Sequence, residues 1–175
     1  MPKQDIQVCC EGHADKVLLK VLEIPERIIS VSGNNSAIAR TMERQVKNFH
    51  KIIIGLTDKD KKNIPLYFKE FELNDNPDNI FFCKKHNSNQ YLIYLCCPAI
   101  ERWLLDSAKS VNIKPEDYGF SSKIKEFVKD TKSITIEKNQ NFYNFLKEIK
   151  RKKASSFVFL EKIIKSKITN NLIIN

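Results

Sequence analysis

Short apolar runs alternate with stretches of helical spacing through the first third of the chain. The runs are IQVCC at residues 6–10, RIISV at 27–31 and IIIGL at 52–56. Consecutive β-branched residues in such a run indicate a strand that is buried on both faces, as in a parallel sheet covered by helices. Strand, helix, strand, helix, strand with short connections therefore predicts a doubly wound, mainly parallel α/β sheet.

Two helices are predicted between these strands. The first starts at Ala14, and Pro25 ends its region. The second follows a turn at residues 32–36, whose polar side chains are typical helix caps, although a helix start can also receive a phosphate. The apolar stripes that define the two helices are Val17, Leu18, Val21 and Leu22 in the first, and Ile38, Met42, Gln45 or Val46, and Phe49 in the second.

The chain between Asp60 and Tyr91 has a less regular pattern. Apolar residues at 64, 68 and 71 predict a short helix starting at Pro65, and NDNP at 74–77 predicts a loop. The strand-like residues 80–83 and 91–96 are expected to form a hairpin, one arm of which supplies the fourth parallel strand. The sheet is thus expected to have about four strands.

The rest of the chain is expected to be helical. Pro98 opens a strong helix at residues 99–111, with Trp103 among its core residues. Beyond Lys114 the composition shifts towards Lys, Asn, Phe and Ile, and apolar stripes predict three further helices. We expect a core at residues 1–113 and a lysine-rich helical extension at residues 114–175 packed on it. The stripes are Ile124, Phe127 and Val128, then Phe142, Phe145, Leu146 and Ile149, then Phe157, Leu160, Ile164 and Ile168.

Composition narrows the class of protein. The 175 residues are 42% hydrophobic with only 4 Gly and 6 Pro, which excludes a disordered chain. The net charge of +9 favours a polyanionic partner such as nucleic acid, although it also serves solubility alone. Without a signal peptide or membrane span, the protein is expected to be cytoplasmic. The five cysteines lack C-x-x-C spacing, which favours reduced core residues.

Acidic residues follow the first and third predicted strands. Glu11 ends the first, and Asp58 and Asp60 end the third, with Asp15 in the following helical turn. Ligands of open α/β sheets bind beyond the carboxyl ends of the strands. In an extended chain, residues two positions apart, such as Asp58 and Asp60, point to the same side and lie about 6.5 to 7 Å apart. A neighbouring strand that carries Glu11 would lie ~4.8 Å away. Because such carboxylates repel one another, the cluster predicts a bound cation that prefers oxygen ligands, most naturally Mg²⁺. Asp15 is also favourable at the amino terminus of a helix whether or not a metal binds.

The segments V-C-C-E-G-H-A-D and I-I-I-G-L-T-D-K-D resemble the Toprim domain over roughly residues 5 to 105. Topoisomerases, primases, small ribonucleases and nucleases of the overcoming-lysogenization-defect type share this domain. The resemblance implies that Glu11 acts as general acid/base or metal ligand. It also implies that Asp58 and Asp60 bind Mg²⁺ or Mn²⁺.

A second segment narrows this resemblance. C-P-A-I-E-R-W-L-L is similar to the P-x-x-E-x-W-(L/F)-L segment of small stand-alone Toprim-like nucleases associated with bacterial defence, including defence against phage. The resemblance implies that Glu101 joins the metal cluster. There is no G-x-x-x-x-G-K-[ST] loop, so an ATPase partner would be a separate chain. A topoisomerase would also need a further domain carrying a nucleophilic tyrosine.

Basic residues complete the sequence-based hypothesis. Lys59, Lys61 and Lys62 flank the aspartates, and the densest basic run contains Lys150, Arg151, Lys152 and Lys153. Each of these two groups could bind a phosphate backbone, and each could equally form an ordinary solvated surface. His13 is expected to be a solvated loop residue. The first hypothesis is a metal-dependent nuclease; the alternatives are a non-catalytic nucleic-acid- or partner-binding module and a phosphatase of small phosphate esters.

Overall fold

The computed structural model describes residues 5–45, 47, 51–59, 64–95 and 99–169. This part of the chain forms a mixed α/β fold with one six-stranded sheet and six α-helices. The strands are β1 (Asp5–Cys10), β2 (Ile29–Val31), β3 (Lys51–Asp58), β4 (Phe71–Asp75), β5 (Phe81–Lys85) and β6 (Gln90–Leu95). The helices are α1 (His13–Val21), α2 (Asn35–Arg44), α3 (Ile100–Ser110), α4 (Ile124–Thr131), α5 (Gln140–Arg151) and α6 (Ser155–Thr169).

The parallel core predicted from the apolar runs is present. The sheet order is β2-β1-β3-β6-β5-β4, and the first four of these strands are parallel. Strand β1 pairs with β2 on one side and β3 on the other, with Val8 opposite both Ile29 and Ile54. The connections through α1 and α2 cross the sheet in opposite directions, and right-handed crossovers therefore place these helices on opposite faces.

Each face of the sheet has its own apolar cluster. Alternate strand residues such as Val8 and Ile54 pack with α1 and the later helices, whereas Cys9 and Ile53 pack with α2. On the α2 face, Gly55 provides the space for close contact. A Cβ atom there would lie 2.9 Å from the Met42 sulfur, so α2 can approach β3 this closely only because residue 55 has no side chain.

Strand β6 is the fourth parallel strand, and β5 forms the predicted hairpin with it. The expected total of about four strands is wrong, because β5, the second arm of the hairpin, and the edge strand β4 beyond it bring the sheet to six. The short helix expected at Pro65 is present as a 3-10 helix (Leu66–Glu70) that buries Tyr67 and Phe68. The chain then extends as β4 into the segment expected to be a loop. Strand β4 (FELND) alternates only two apolar residues, Phe71 and Leu73, with polar ones, and Leu73 is 55% exposed, so the strand signal is short and lies on a solvent-exposed edge.

Helices α4, α5 and α6 confirm the three predicted helical stripes. Their large side chains Phe127, Phe142, Phe145 and Phe157 are fully buried, and the Trp103 ring of α3 stacks on Phe157 with 5.2 Å between centroids. These residues belong to the same apolar cluster as α1 and β1. The segments predicted as core and extension therefore share one hydrophobic core.

Several other expectations concern local features. Helix α2 ends at Arg44, and the side chain of Asn34 caps its start by accepting from the Ala37 N–H at 2.9 Å. Val46, Phe49 and the last six residues lie outside the described part of the chain. Three cysteines, Cys9, Cys10 and Cys83, are free and buried as predicted, and burial raises the pKa of each thiol. Cys96 and Cys97 are not described. Among the described helices, none combines the length and apolar character needed to cross a bilayer.

Candidate acidic site

Four of the predicted acidic residues line one cleft at the carboxyl edge of the parallel strands. Glu11 follows β1, Asp15 lies in the first turn of α1, Asp58 ends β3 and Glu101 lies in the first turn of α3. The cleft has a volume of about 480 Å³. Asp60, the fifth predicted acid, lies outside the described residues.

Glu11 joins the ends of two strands. The pairing of β1 with β3 sets Cys10 opposite Leu56, so the next residue of each strand, Glu11 and Thr57, lie side by side. The Thr57 hydroxyl and the Asp58 backbone N–H both donate to Glu11 Oε1, the second over 3.0 Å. Strands β1 and β3 are thus neighbours, and their pairing fixes one carboxylate oxygen of Glu11.

Asp15 is held at the start of α1. Its Oδ2 atom accepts the Gly12 backbone N–H over 2.7 Å, which satisfies a donor that a helix amino terminus otherwise leaves unpaired. The side chain is only 7% exposed. Burial raises its pKa to about 7, and the charges of Glu11 and Glu101 add to the increase.

Asp58 faces the same group of charges from the end of β3. Burial, together with the nearby carboxylates of Asp15, Glu11 and Glu101, raises the pKa of its carboxyl to about 8. A hydrogen bond from the backbone N–H of Ile100 acts in the opposite direction. Asp58 therefore couples electrostatically to the acids of β1, α1 and α3.

Glu101 is 6% exposed, and its carboxylate contacts a residue of the carboxyl-terminal helices. The Thr131 hydroxyl, at the end of α4, lies 2.9 Å from Glu101 Oε1. Val128 and Lys132 also line the cleft from this side. Sequence patterns gave no indication of this contribution, because Thr131 occurs in an ordinary amphipathic helix 30 residues away.

His13 occupies a different environment from the solvated loop that was expected. It is the first residue of α1 and lines the cleft, and its Nδ1 atom contacts the carboxylate of Glu137. The Lys16 ammonium lies 2.8 Å from the other oxygen of Glu137. These two contacts fasten the 3-10 helix of residues 134–138 to α1 beside the acidic cleft.

The acids share a cleft without forming a complete metal shell. Within residues 5–45, 47, 51–59, 64–95 and 99–169, no three side chains of His, Cys, Asp or Glu are grouped to hold one ion. The donor chemistry nevertheless suits a hard cation, because all four groups offer carboxylate oxygens. Burial, with the neighbouring carboxylate charges as a smaller cause, raises the pKa values of Asp15 and Asp58, so a cation in the cleft would favour their charged forms.

The predicted basic residues do not line this cleft where the structure describes them. The ammonium of Lys59 lies 3.4 Å from the centroid of the Phe81 ring on β5, and its backbone N–H donates to the Leu95 carbonyl over 3.3 Å. Its side chain thus contacts the antiparallel part of the sheet. Lys61 and Lys62 lie outside the described residues.

The basic run at residues 150–153 lies at the other end of α1. Lys150 donates to the Val21 carbonyl over 3.1 Å and pairs with Glu23 over 3.1 Å, and both partners belong to the carboxyl end of α1. The acidic cleft contains the amino end of this nine-residue helix, which is about 13 Å long. Arg151 pairs with Glu148 over 2.7 Å, while Lys152 and Lys153 are exposed. The structure therefore separates this run from the acids.

Comparison of the chain with protein-family models, with curated proteins and with solved structures finds no match in any of the three. The chemistry that the protein supports is therefore inferred from the cleft itself and from the three motifs that contribute its acids.

Proposed function

We propose that the protein is a metal-dependent phosphodiesterase with a Toprim-like fold, and specifically a nuclease that cleaves DNA or RNA. The observation that carries this proposal is the convergence of Glu11, Asp15, Asp58 and Glu101 on one cleft. Without a cation, the burial and mutual repulsion of these acids are relieved by protonation of Asp15 and Asp58, whereas a bound divalent cation stabilises the charged carboxylates. The cleft also lies where open α/β sheets bind their ligands.

The proposed cation is Mg²⁺ or Mn²⁺. Glu11, Asp58 and Glu101 would hold it, together with Asp60, which the sequence resemblance adds to the set. When bound, such an ion neutralises charge on a phosphate oxygen during displacement at phosphorus. Asp15 is assigned mainly to shaping the helix start, because its Oδ2 atom is already engaged by the Gly12 N–H.

The chain's own residues have separate tasks in this proposal. Glu11 accepts a proton at its carboxylate, and the donors Thr57 and Asp58 N–H keep that group in place. Thr131 orients Glu101 through a 2.9 Å contact. The apolar side chains of Val31, Ile100 and Val128 form part of the cleft wall.

The test is cleavage of plasmid DNA, single-stranded DNA and structured RNA with Mg²⁺, with Mn²⁺ and with EDTA. We expect cleavage that needs the cation and that falls by about 10²-fold or more in Asp58→Asn, because a ligand to the ion is lost. Asp106→Asn is the matched control, since Asp106 is exposed on α3 and does not line the cleft. Cleavage by Asp58→Asn at the unmodified rate would reject the assignment.

A second candidate is a nucleic-acid-binding module of the same fold that performs no chemistry. It is favoured by the absence of a preformed three-ligand metal site among the described residues and by the net charge of +9. This candidate predicts salt-dependent binding that EDTA does not alter and no product from any of the three substrates.

A further inference from the structure

Helix α4 carries a row of lysines that begins at the acidic cleft. Lys125, Lys129 and Lys132 follow one another at steps of four and three residues, so they share one side of the helix. All three are exposed, and Lys132 lines the cleft together with Val128 and Thr131 of the adjoining side. We call these three residues the α4 lysine row.

Charges on α4 are separated by side. The acidic residues Glu126 and Asp130 lie on the side away from the row, where Glu126 pairs with Lys123 over 3.6 Å. In the described part of the chain, none of the three row lysines forms an ion pair. The row therefore presents its charge to solvent next to a cleft that holds four carboxylates.

Helix stability does not explain the whole row. Cations favour the carboxyl end of a helix, which accounts for Lys129 and Lys132. Lys125 is the second residue of α4, at the amino end, where the helix dipole opposes a positive charge. The helix dipole therefore does not account for Lys125, which lies on the same side of the helix as the other two lysines.

We propose that the α4 lysine row binds the phosphate backbone of a polynucleotide strand and guides it into the acidic cleft. The distance along the helix from Lys125 to Lys132 is about 10 Å, at 1.5 Å per residue. At about 3.4 Å of axial rise per nucleotide, this length covers about three nucleotide steps, so each of the three lysines can contact a different phosphate. Cleavage within the cleft rests on the proposed function, but binding along the row does not.

The α4 lysine row is a different surface from the basic run at residues 150–153. Lys150 is occupied by Val21 and Glu23, and Arg151 by Glu148, so two of the four charges in that run are already paired. The α4 row is shorter, but its charges are unpaired and lead directly to the cleft. The two surfaces can therefore be separated by mutation.

The test measures binding by the full chain in EDTA, where cleavage does not interfere. The probes are labelled single-stranded DNA and RNA of one sequence, about 20 nucleotides long, titrated at salt concentrations from about 50 to about 200 mM. The variant is Lys125→Gln, Lys129→Gln, Lys132→Gln, since Gln retains helix propensity. The matched control is Lys69→Gln, Lys109→Gln, Lys162→Gln, which removes the same charge from exposed residues outside the α4 lysine row and outside the basic run at residues 150–153.

We expect the row variant to bind about tenfold or more weakly at the lowest salt, and the salt slope to fall by about 2 because three phosphate contacts are lost. The control should change affinity less than about twofold. Unchanged thermal unfolding checks that both variants fold. Equal losses in the two variants, a loss in the control alone, or no binding by the unmodified protein would overturn the inference.

The two proposals fail in different ways. Binding that depends on the row, without cleavage of any substrate, supports this inference and rejects the nuclease. Cation-dependent cleavage that Asp58→Asn abolishes, with normal binding by the row variant, supports the nuclease and rejects this inference.

Discussion

The backbone N–H of Asp58 donates a 3.0 Å hydrogen bond to Oε1 of Glu11, across 47 residues of sequence. The bond ties the carboxyl end of β3 to the residue that follows β1. It also means that one acid of the cleft fixes the backbone that carries another. The positions of the two carboxylates are therefore set together.

Substitutions at Glu11 should separate its charge from its role as an acceptor. Glu11→Gln keeps an oxygen for the Thr57 hydroxyl and the Asp58 N–H, whereas Glu11→Ala leaves both donors without it. Both variants should lose cleavage, since both lack the charge. In urea denaturation, the free energy of unfolding of Glu11→Ala should be about 1 to 3 kcal/mol lower than that of Glu11→Gln, because only Glu11→Ala leaves the two donors without an acceptor. Equal stabilities would contradict the structural role of the acceptor.

Stability should depend on pH in a direction set by the acidic cleft. The pKa values of Asp15 and Asp58 are raised from 3.8 to about 7 and about 8, so the native protein binds more protons than the unfolded chain. The free energy of unfolding should therefore fall as pH rises from about 4 to about 8. Mn²⁺ replaces the lost protons, so its effect on the melting temperature should be larger at about pH 8 than at about pH 5.

Melting curves with and without Mn²⁺ across this pH range check the expectation. The double variant Asp15→Asn, Asp58→Asn should flatten the pH dependence and remove most of the Mn²⁺ effect, because both titrating groups are gone. An Mn²⁺ effect that is the same at both pH values, or that persists in the double variant, would count against the acids as its origin.

Thr131 should affect the site through Glu101. Thr131→Val preserves shape but removes the hydroxyl that lies 2.9 Å from Glu101 Oε1. We expect cation affinity to fall by about 10- to 100-fold, as for other residues that orient a ligand. Titration calorimetry with Mn²⁺ gives the value. Thr131→Ser retains the hydroxyl and should restore affinity, and a failure to do so would assign Thr131 to packing alone.

Gly55 should be needed for the contact between β3 and α2. A methyl group at this position would lie 2.9 Å from the Met42 sulfur, 3.0 Å from Cγ2 of Ile38 and 3.1 Å from Cδ1 of Leu92. Gly55→Ala should therefore lower the free energy of unfolding by about 1 to 3 kcal/mol in urea denaturation. Arg40→Ala, on the exposed side of α2, should change it by less than about 0.5 kcal/mol. Equal effects would contradict the close packing.

Much of the fold could be predicted because its signals are local. The run Ile52, Ile53, Ile54 indicates a buried strand by itself, and the stripe around Phe142 and Phe145 indicates a helix. Both elements are present. Strand β4 was missed because its alternation spans only Phe71 and Leu73, and Phe71 also fits the helical spacing of Ile64 and Phe68.

The acidic site was predictable only in part, because some of its residues reach the cleft through contacts between distant helices. Glu11 and Asp58 follow strands whose order could be inferred, so their proximity could be expected. Thr131 and Lys132 reach the same cleft only through the docking of α4 against α3. Such contacts depend on how distant helices pack, and neither residue type marks its position in the sequence.

Diffraction from crystals grown with Mn²⁺, recorded near the manganese absorption edge, would locate the bound cation. We predict an anomalous peak in the cleft, within coordination distance of carboxylate oxygens from Glu11, Asp58 and Glu101, and its loss in Asp58→Asn crystals. A cleft without manganese, or manganese bound only by other residues, would contradict it.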